Sequence, residues 1–330
     1  MDRDAGMILS RAARARPHPA VALGALGIAT SGIFIHLSGT SPGTATFFRC
    51  ALALPLLWPL ARGERRRTGG LSWRNCAAAA AAGTFFAADA MLWTQAILEV
   101  GAGVTAVLVN TQVIIVPLLS SLVDRERLGR SFPVIVGCMA TGIVLTGGIL
   151  GTGVSGDAPA RGTVHAVLAA LCYSGFLFLL RRGGRTEGVL RSYCGVLISA
   201  AAVSVIGGVL WRGVTVTPGW GALGWLALTA VCGQVGGWLL VALATSRLSS
   251  TVSSALLMLT PVGALLLGAL VLGERPTLPQ LLGCALILAS AYAASASGSF
   301  HRRFTSTGGK PRDSASWTDR AEQPDRNNLP

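Results

Sequence analysis

Two ionisable side chains stand inside long apolar runs of this 330-residue chain: Arg49, six residues past Gly43, and Asp89, nine residues before Leu98. At the rise of an α-helix they lie about 9 Å and about 13 Å from the same end of neighbouring helices, and so at similar depths. A charge in such a run costs about 2.5–3.5 kcal/mol on insertion scales and is kept where it faces a partner or a cavity. Two readings follow. Either Arg49 and Asp89 form an ion pair that clasps adjacent helices, or Asp89 faces a cavity as the anchor of a bound molecule or the carrier of a proton. With Arg49 as a permanent partner Asp89 stays ionised; with Arg49 turned outward or bound to Glu99, Asp89 can load and release a proton.

Other polar groups could line the same level. Trp93 lies one turn from Asp89 on the same helix face. Asn110 and Gln112 are two residues apart and point in different directions, so at most one faces a common cavity squarely, and Asn110 is preferred. Tyr173, Gln234, Trp238 and Thr260 offer matching groups from later runs. Each reads equally well as a helix–helix hydrogen bond or packing contact. Catalysis finds little support. Asp89 is the sole acid deep in a run, whereas an intramembrane aspartyl protease needs two, and His18, His36, His165 and His301 are dispersed. No phosphate-binding GxxxxGK[ST] loop, CxxC pair or metal-ligand spacing occurs, so neither an enzyme, a cofactor nor a metal is expected. The seven cysteines, scattered singly, read as buried structural thiols.

The elements that hold these residues are legible from composition. The chain is 52% hydrophobic and 12% charged, against about 25% charged in ordinary soluble domains. Ten apolar runs approach the ~20 residues that span a hydrocarbon core: 20–38, 43–60, 75–98, 103–123, 132–150, 162–180, 189–211, 220–244, 251–272 and 279–296. None alternates as barrel strands do. The first run follows a basic segment without an A-x-A cleavage site, and reads as an uncleaved span. The net charge of +13 does not call for nucleic acid. All the Lys and Arg except Arg49, Arg161, Arg212 and Arg275 fall on one side of a ten-span path, here called the basic face. By the positive-inside rule that face and both termini are cytoplasmic.

The run from Leu248 to Arg275 repeats that from Val100 to Arg127 without a gap, at an offset of 148 that sets Glu126 against Glu274. It also aligns Val104 with Val252, Leu108 with Leu256, Leu118 with Leu266, Leu122 with Leu270 and Arg127 with Arg275, and Gly-Cys follows each copy at Gly137-Cys138 and Gly283-Cys284. Five spans per copy insert the second copy upside down. Inverted repeats let one half rock against the other around a central site, as a transporter requires. Glu126 and Glu274 read as structural residues of this repeat. Pro261 leaves the carbonyl of Leu257 without its helical donor, which predicts a kink opening toward a cavity.

The second copy's Ala242-Leu243-Ala244, Ser249 to Ala255, Thr260-Pro261 and Leu272-Gly273-Glu274-Arg275 resemble the EamA repeat of the drug/metabolite transporter superfamily. Ser41-Pro42 followed by Arg49, then Ala96-Ile97 and Glu126, carry the resemblance in the first copy, and it covers about 20–296. It implies an all-α integral membrane fold of ten helices in two inverted five-helix repeats, cytoplasmic termini, and a cavity lined mainly by helices 1, 3, 4, 6, 8 and 9. The first copy departs from the pattern with Val113 in the place of Pro261, Pro117 a turn later, and no tryptophan early in its first helix.

The expected organisation is a basic cytoplasmic segment over 1–19, repeats over 20–150 and 151–297, and a disordered cytoplasmic tail over 298–330. The expected activity is secondary transport of a small metabolite, neutral or amino-acid-like, across the cell membrane, as an exporter with or without proton coupling. A lipid-intermediate flippase and a passive facilitator or channel are the alternatives. The expected partners are the substrate and the lipid bilayer, not nucleic acid, with a homodimer left open. One lysine against 26 arginines suggests a GC-rich bacterial genome. In a background without native cysteines, single cysteines at Arg65, Arg125 and Arg185 should label from the cytoplasm, and one at Thr277 from outside. Labelling of 125 and 277 from the same face would remove the inverted repeat.

Overall fold

The computed structural model describes residues 16–68, 72–125, 128–147, 156–183, 189–245, 248 and 250–307. Every regular element among them is helical. This is the solution lipid imposes, because a backbone without water must satisfy its own hydrogen bonds. Span 1 is Pro17–Ser38, span 2 Pro42–Thr68 and span 3 Trp73–Val100. Span 4 joins Ala102–Leu108, a 3-10 turn at Val109–Thr111, and Gln112–Asp124. Span 5 is Phe132–Thr146, span 6 Pro159–Gly183 and span 7 Val189–Trp211. Span 8 joins Trp220–Leu228, a π-helical segment Thr229–Gly237, and Trp238–Thr245. Span 9 joins Ser250–Leu257 and Leu259–Val271, and span 10 is Leu278–Thr307. Among the described residues eight helices are long and apolar enough to cross a membrane, and Phe132–Thr146 and Ala255–Val271 are the shorter apolar helices that complete ten.

The internal repeat is visible in backbone detail. The 3-10 turn Val109–Thr111 of span 4 corresponds, at the offset of 148, to residues 257–259, where span 9 is interrupted at Met258. Arg125 has φ 55° and its counterpart Gly273 φ 68°; Arg125 is the one non-glycine residue with positive φ among the described residues. Packing follows the same exchange of halves. Span 3 packs on span 6 as span 8 packs on span 1, span 4 on span 6 as span 9 on span 1, and span 3 on span 7 as span 8 on span 2, while pairs 2–7, 4–9 and 5–10 map onto themselves. The fold is two inverted five-helix repeats related by a pseudo-two-fold axis.

Helix starts and stops follow local chemistry. Pro17 opens span 1, and Gly39 closes it in the left-handed region (φ 60°), its N–H donating to the His36 carbonyl at 3.1 Å. The Ser72 hydroxyl caps span 3 by accepting from the Asn75 N–H at 3.4 Å. The break in span 9 sits where Pro261 deprives Leu257 of its donor, as the sequence predicts.

Two expectations need correction. Span 10 continues through residues 298–307, assigned above to the tail, since no proline or glycine interrupts 299–307 before Gly308-Gly309. The remainder of the tail (308–330), Glu126 and residues 1–15 lie outside the described residues. Nor are all the thiols buried: Cys50, Cys194 and Cys284 are, but Cys76 is exposed and the others half-buried, because their helix faces turn away from the bundle interior.

Small residues set the helix spacing. A Cβ on Gly83 of span 3 would meet the Val196 carbonyl oxygen of span 7 at 2.5 Å and the Ser199 Cβ at 2.6 Å, so these backbones touch where only hydrogen fits. A Cβ on Gly63 would meet nothing within 4 Å. Overpacking of this kind costs about 1–3 kcal/mol. Gly83→Ala should therefore lower the thermal stability of detergent-solubilised protein, measured by fluorescence-detected size exclusion, while Gly63→Ala leaves it close to native; equal stability of the two would mean that spans 3 and 7 part readily.

Candidate functional site

Arg49 occupies the middle of the bundle at 8% exposure. Its Nε and Nη2 both donate to Gln234 Oε1, at 3.2 and 2.7 Å. The guanidinium also stacks against Phe86, 5.7 Å from the ring centroid, and Trp93, at 5.4 Å. Phe86, Asp89 and Trp93 follow the i, i+3, i+7 pattern of one helix face, so the two rings on the guanidinium bracket Asp89. Asp89 is buried and, among the described residues, has no ion-pair partner. The predicted Arg49–Asp89 clasp is absent, because the guanidinium edge is taken by the amide of span 8.

Nor does Arg49 bind Glu99. That carboxylate is engaged at the end of span 3 by Arg161 Nε at 2.8 Å, His165 Nδ1 at 2.5 Å and Gln95 Nε2 at 2.8 Å.

Gln234 lies in the π-helical segment Thr229–Gly237 and is 1% exposed. Short π segments occur often at functional sites. The Gln234 side-chain amide also donates to the Tyr193 hydroxyl at 2.5 Å, and that hydroxyl donates to the Gln234 backbone carbonyl at 3.4 Å. Under the offset of 148 Gln234 is the counterpart of Phe86, so equivalent positions of spans 3 and 8 meet Arg49 from the two halves. The arginine stands close to the axis that relates the repeats. Beside it, Trp238 packs edge-on to Tyr173 at 6.4 Å and Phe176 at 6.3 Å, and lies 6.1 Å from Tyr193.

The structure thus gathers Arg49, Asp89, Trp93, Tyr173, Gln234 and Trp238, and adds Phe86 and Tyr193, which sequence reasoning missed. Phe86 shares the face of Asp89 and Trp93, a signal that was there to be read; Tyr193 carried none, being one apolar-run tyrosine among three. The candidates of spans 4 and 9 stay apart from the cluster. Asn110, preferred above, turns its amide onto the Ala106 carbonyl of its own helix at 2.8 Å. Gln112 instead has a buried Oε1 without a partner among the described residues. Thr260 donates to the Ala25 carbonyl of span 1 at 3.2 Å, an interhelical bond. The chemistry therefore gathers on spans 2, 3, 6, 7 and 8, where the resemblance placed it on helices 1, 3, 4, 6, 8 and 9.

A second polar construction lies at the face opposite the basic one. The Glu274 carboxylate accepts from the backbone N–H groups of Ala102, at 2.5 Å, and Gly103, at 3.0 Å, which start span 4. It fits because Gly101, Gly103 and Gly268 surround it: a Cβ on Gly101 would come 2.9 Å from its Cδ and one on Gly103 3.1 Å from its Oε2. An anion at a helix start satisfies orphan donors and the helix dipole together. A cavity of about 180 Å³ adjoins the socket, lined by residues that include His36, Glu99, Asp157 and Glu274. Here Ala102–Leu108 packs on Leu259–Val271. Toward the basic face, among the described residues, Gln112–Asp124 packs chiefly on span 6 and Ser250–Leu257 on spans 10 and 1, without comparable contact with each other. Spans 4 and 9 converge on one face and diverge toward the other.

The profile of the EamA-like transporter family matches residues 18–148 and 160–296, one match to each half. The chain belongs to the EamA-like transporter family. That family is one of membrane transporters and not of enzymes, and this EamA-like chain is a multi-pass membrane protein whose two matched segments coincide with the two repeats. Among solved structures, one described as "Crystal structure of protein" matches with a TM-score of 0.54 at 21% identity, covering 88% of this chain and 99% of its own, and supports the fold. No curated protein matches the sequence significantly.

Losing a hydrogen bond to a charged group costs about 1.5–3 kcal/mol. Glu274→Ala should therefore raise amide exchange at residues 101–106 by about tenfold or more, read by hydrogen–deuterium exchange in nanodiscs, and leave span 2 unchanged. Unaltered exchange at 101–106 would show that the socket does not hold the start of span 4.

Proposed function

We propose that this protein is a secondary transporter that exports a small amino-acid-like zwitterion by alternating access, Arg49 binding the carboxylate and Asp89 the ammonium group. The single observation that carries this reading is the buried Arg49 and Asp89 on one aromatic-lined level of the bundle, opposite in charge and not paired with each other. A molecule bearing both charges complements them, whereas a lone cation or anion leaves one buried group uncompensated. Phe86 and Trp93 supply apolar and cation–π faces beside the charges. The convergence of spans 4 and 9 on one face supports a carrier that presents its site to the other. Positive-inside logic makes the converged face external, which supports a carrier that loads from the cytoplasm, as an exporter does.

Asp89 decides coupling. A carboxylate without an ion-pair partner can take a proton when the site is empty and release it to water when a bound ammonium group arrives to stabilise its ionised form. In reconstituted vesicles, Asp89→Asn should abolish accumulation driven by a proton gradient while retaining saturable exchange, and Arg49→Gln should reduce both by at least about tenfold, the effect of losing one charge-assisted bond. Gradient-driven accumulation that survives Asp89→Asn would sink proton coupling through this residue and put the coupling group elsewhere, whereas a native protein that equilibrates substrate without accumulating it would be a passive facilitator.

A further inference from the structure

Gln234 offers Arg49 a substitute for a carboxylate. A guanidinium presents parallel N–H donors along one edge, and a carboxylate meets them with two oxygens in a fork. Here Nε and Nη2 converge instead on the one neutral oxygen of Gln234, at 3.2 and 2.7 Å. The edge that a carboxylate would use is thus already occupied, by a weaker acceptor. The amide cannot flip without loss, because its NH2 group donates to the Tyr193 hydroxyl at 2.5 Å, leaving only the oxygen to face Arg49. Burial of all three residues removes water as a competitor.

The pieces come from different halves. Arg49 belongs to span 2 of the first repeat, Tyr193 to span 7 and Gln234 to span 8 of the second. A ligand that displaces the Gln234 oxygen would also cut this hydrogen-bonded tie between the repeats. Gln234 sits in the π-helical segment Thr229–Gly237, flanked by Gly233, Gly236 and Gly237. A π turn holds one residue more than an α turn, so a return to α geometry would rotate Gln234 away from Arg49.

We propose that Gln234, oriented by Tyr193, is an internal surrogate ligand that fills the carboxylate site of the empty carrier and ties the two repeats together until a carboxylate-bearing substrate displaces it. The proposal rests on Arg49 as the carboxylate site. It makes Gln234 a positioning and specificity residue and not a substrate contact: amines that lack a carboxylate cannot break the tie, so recognition of the carboxylate is coupled to the motion of the halves.

The test uses the full chain in liposomes loaded with an equimolar mixture of the twenty L-amino acids, or with the corresponding decarboxylated amines, and follows efflux by mass spectrometry. Gln234→Leu removes the competing acceptor and should lower the apparent KM of each carried amino acid severalfold, and let the matching amine pass at a raised rate. Gln234→Glu puts a permanent carboxylate on Arg49 and should cut kcat at least tenfold with folded yield retained. Tyr193→Phe, a milder change that keeps the ring, should shift KM in the direction of Gln234→Leu by a smaller factor, and serves if Gln234→Leu does not fold. A raised KM in Gln234→Leu or Tyr193→Phe would make Gln234 a direct substrate ligand and overturn the proposal, as would native kinetics in Gln234→Glu. If the native protein carries amino acids but Arg49→Gln does so equally well, the zwitterion reading falls first and the surrogate with it.

Discussion

A guanidinium in the middle of an apolar bundle is the constraint around which the rest is arranged. Arg49 cannot lose its charge, so the protein must replace its hydration shell with its own groups. It does so with one carbonyl oxygen from the opposite repeat and two aromatic faces from the neighbouring helix. Each replacement imposes something further. The oxygen requires span 8 to come close and to turn Gln234 inward, which its π-helical segment achieves, and the amide then needs Tyr193. The rings require Phe86 and Trp93 on one face of span 3, and that face also carries Asp89. Close approach of the helices in turn requires small residues such as Gly83 where spans 3 and 7 cross.

The duplication supplies the symmetry that such a site exploits. Equivalent positions of the two halves, Phe86 and Gln234, reach the same arginine, yet one is a ring and the other an amide. The axis is therefore structural, while the chemistry on it is asymmetric. Away from the axis the halves are held at the face opposite the basic one by Glu274 on the start of span 4. The contact is short and polar, made on backbone groups and enclosed by glycines, which suits a joint that closes firmly without a large apolar surface to separate.

Much of this was legible in the sequence, and the reasons it was or was not are physical. Ten spans followed from apolar length, and the inverted repeat from the register of Glu126 and Glu274. The break in span 9 followed from Pro261, since a missing donor has the same effect in any helix. The matching 3-10 turn in span 4 did not, because Pro117 lies elsewhere in that copy and the backbone kept the break without it. Burial of Arg49 and Asp89 was predictable from their runs, but not their partners. An ion pair between neighbours at equal depth was a fair expectation; which way a long guanidinium turns depends on span 8, 185 residues away. Asn110 looked promising by position but bonds its own helix, a local option that every amide in a span possesses.

The central claim is that the two repeats rock about the Arg49 level, so that one face closes as the other opens. Double electron–electron resonance tests it most directly, with spin labels at Leu98 and Arg275 on the opposite face and at Leu248 and Leu128 on the basic face. Resting protein in liposomes should give a short distance for Leu98–Arg275 and a longer one for Leu128–Leu248, and a saturating mixture of L-amino acids should lengthen the first while shortening the second. Distances that stay fixed, or that move in the same direction on both faces, would contradict the account.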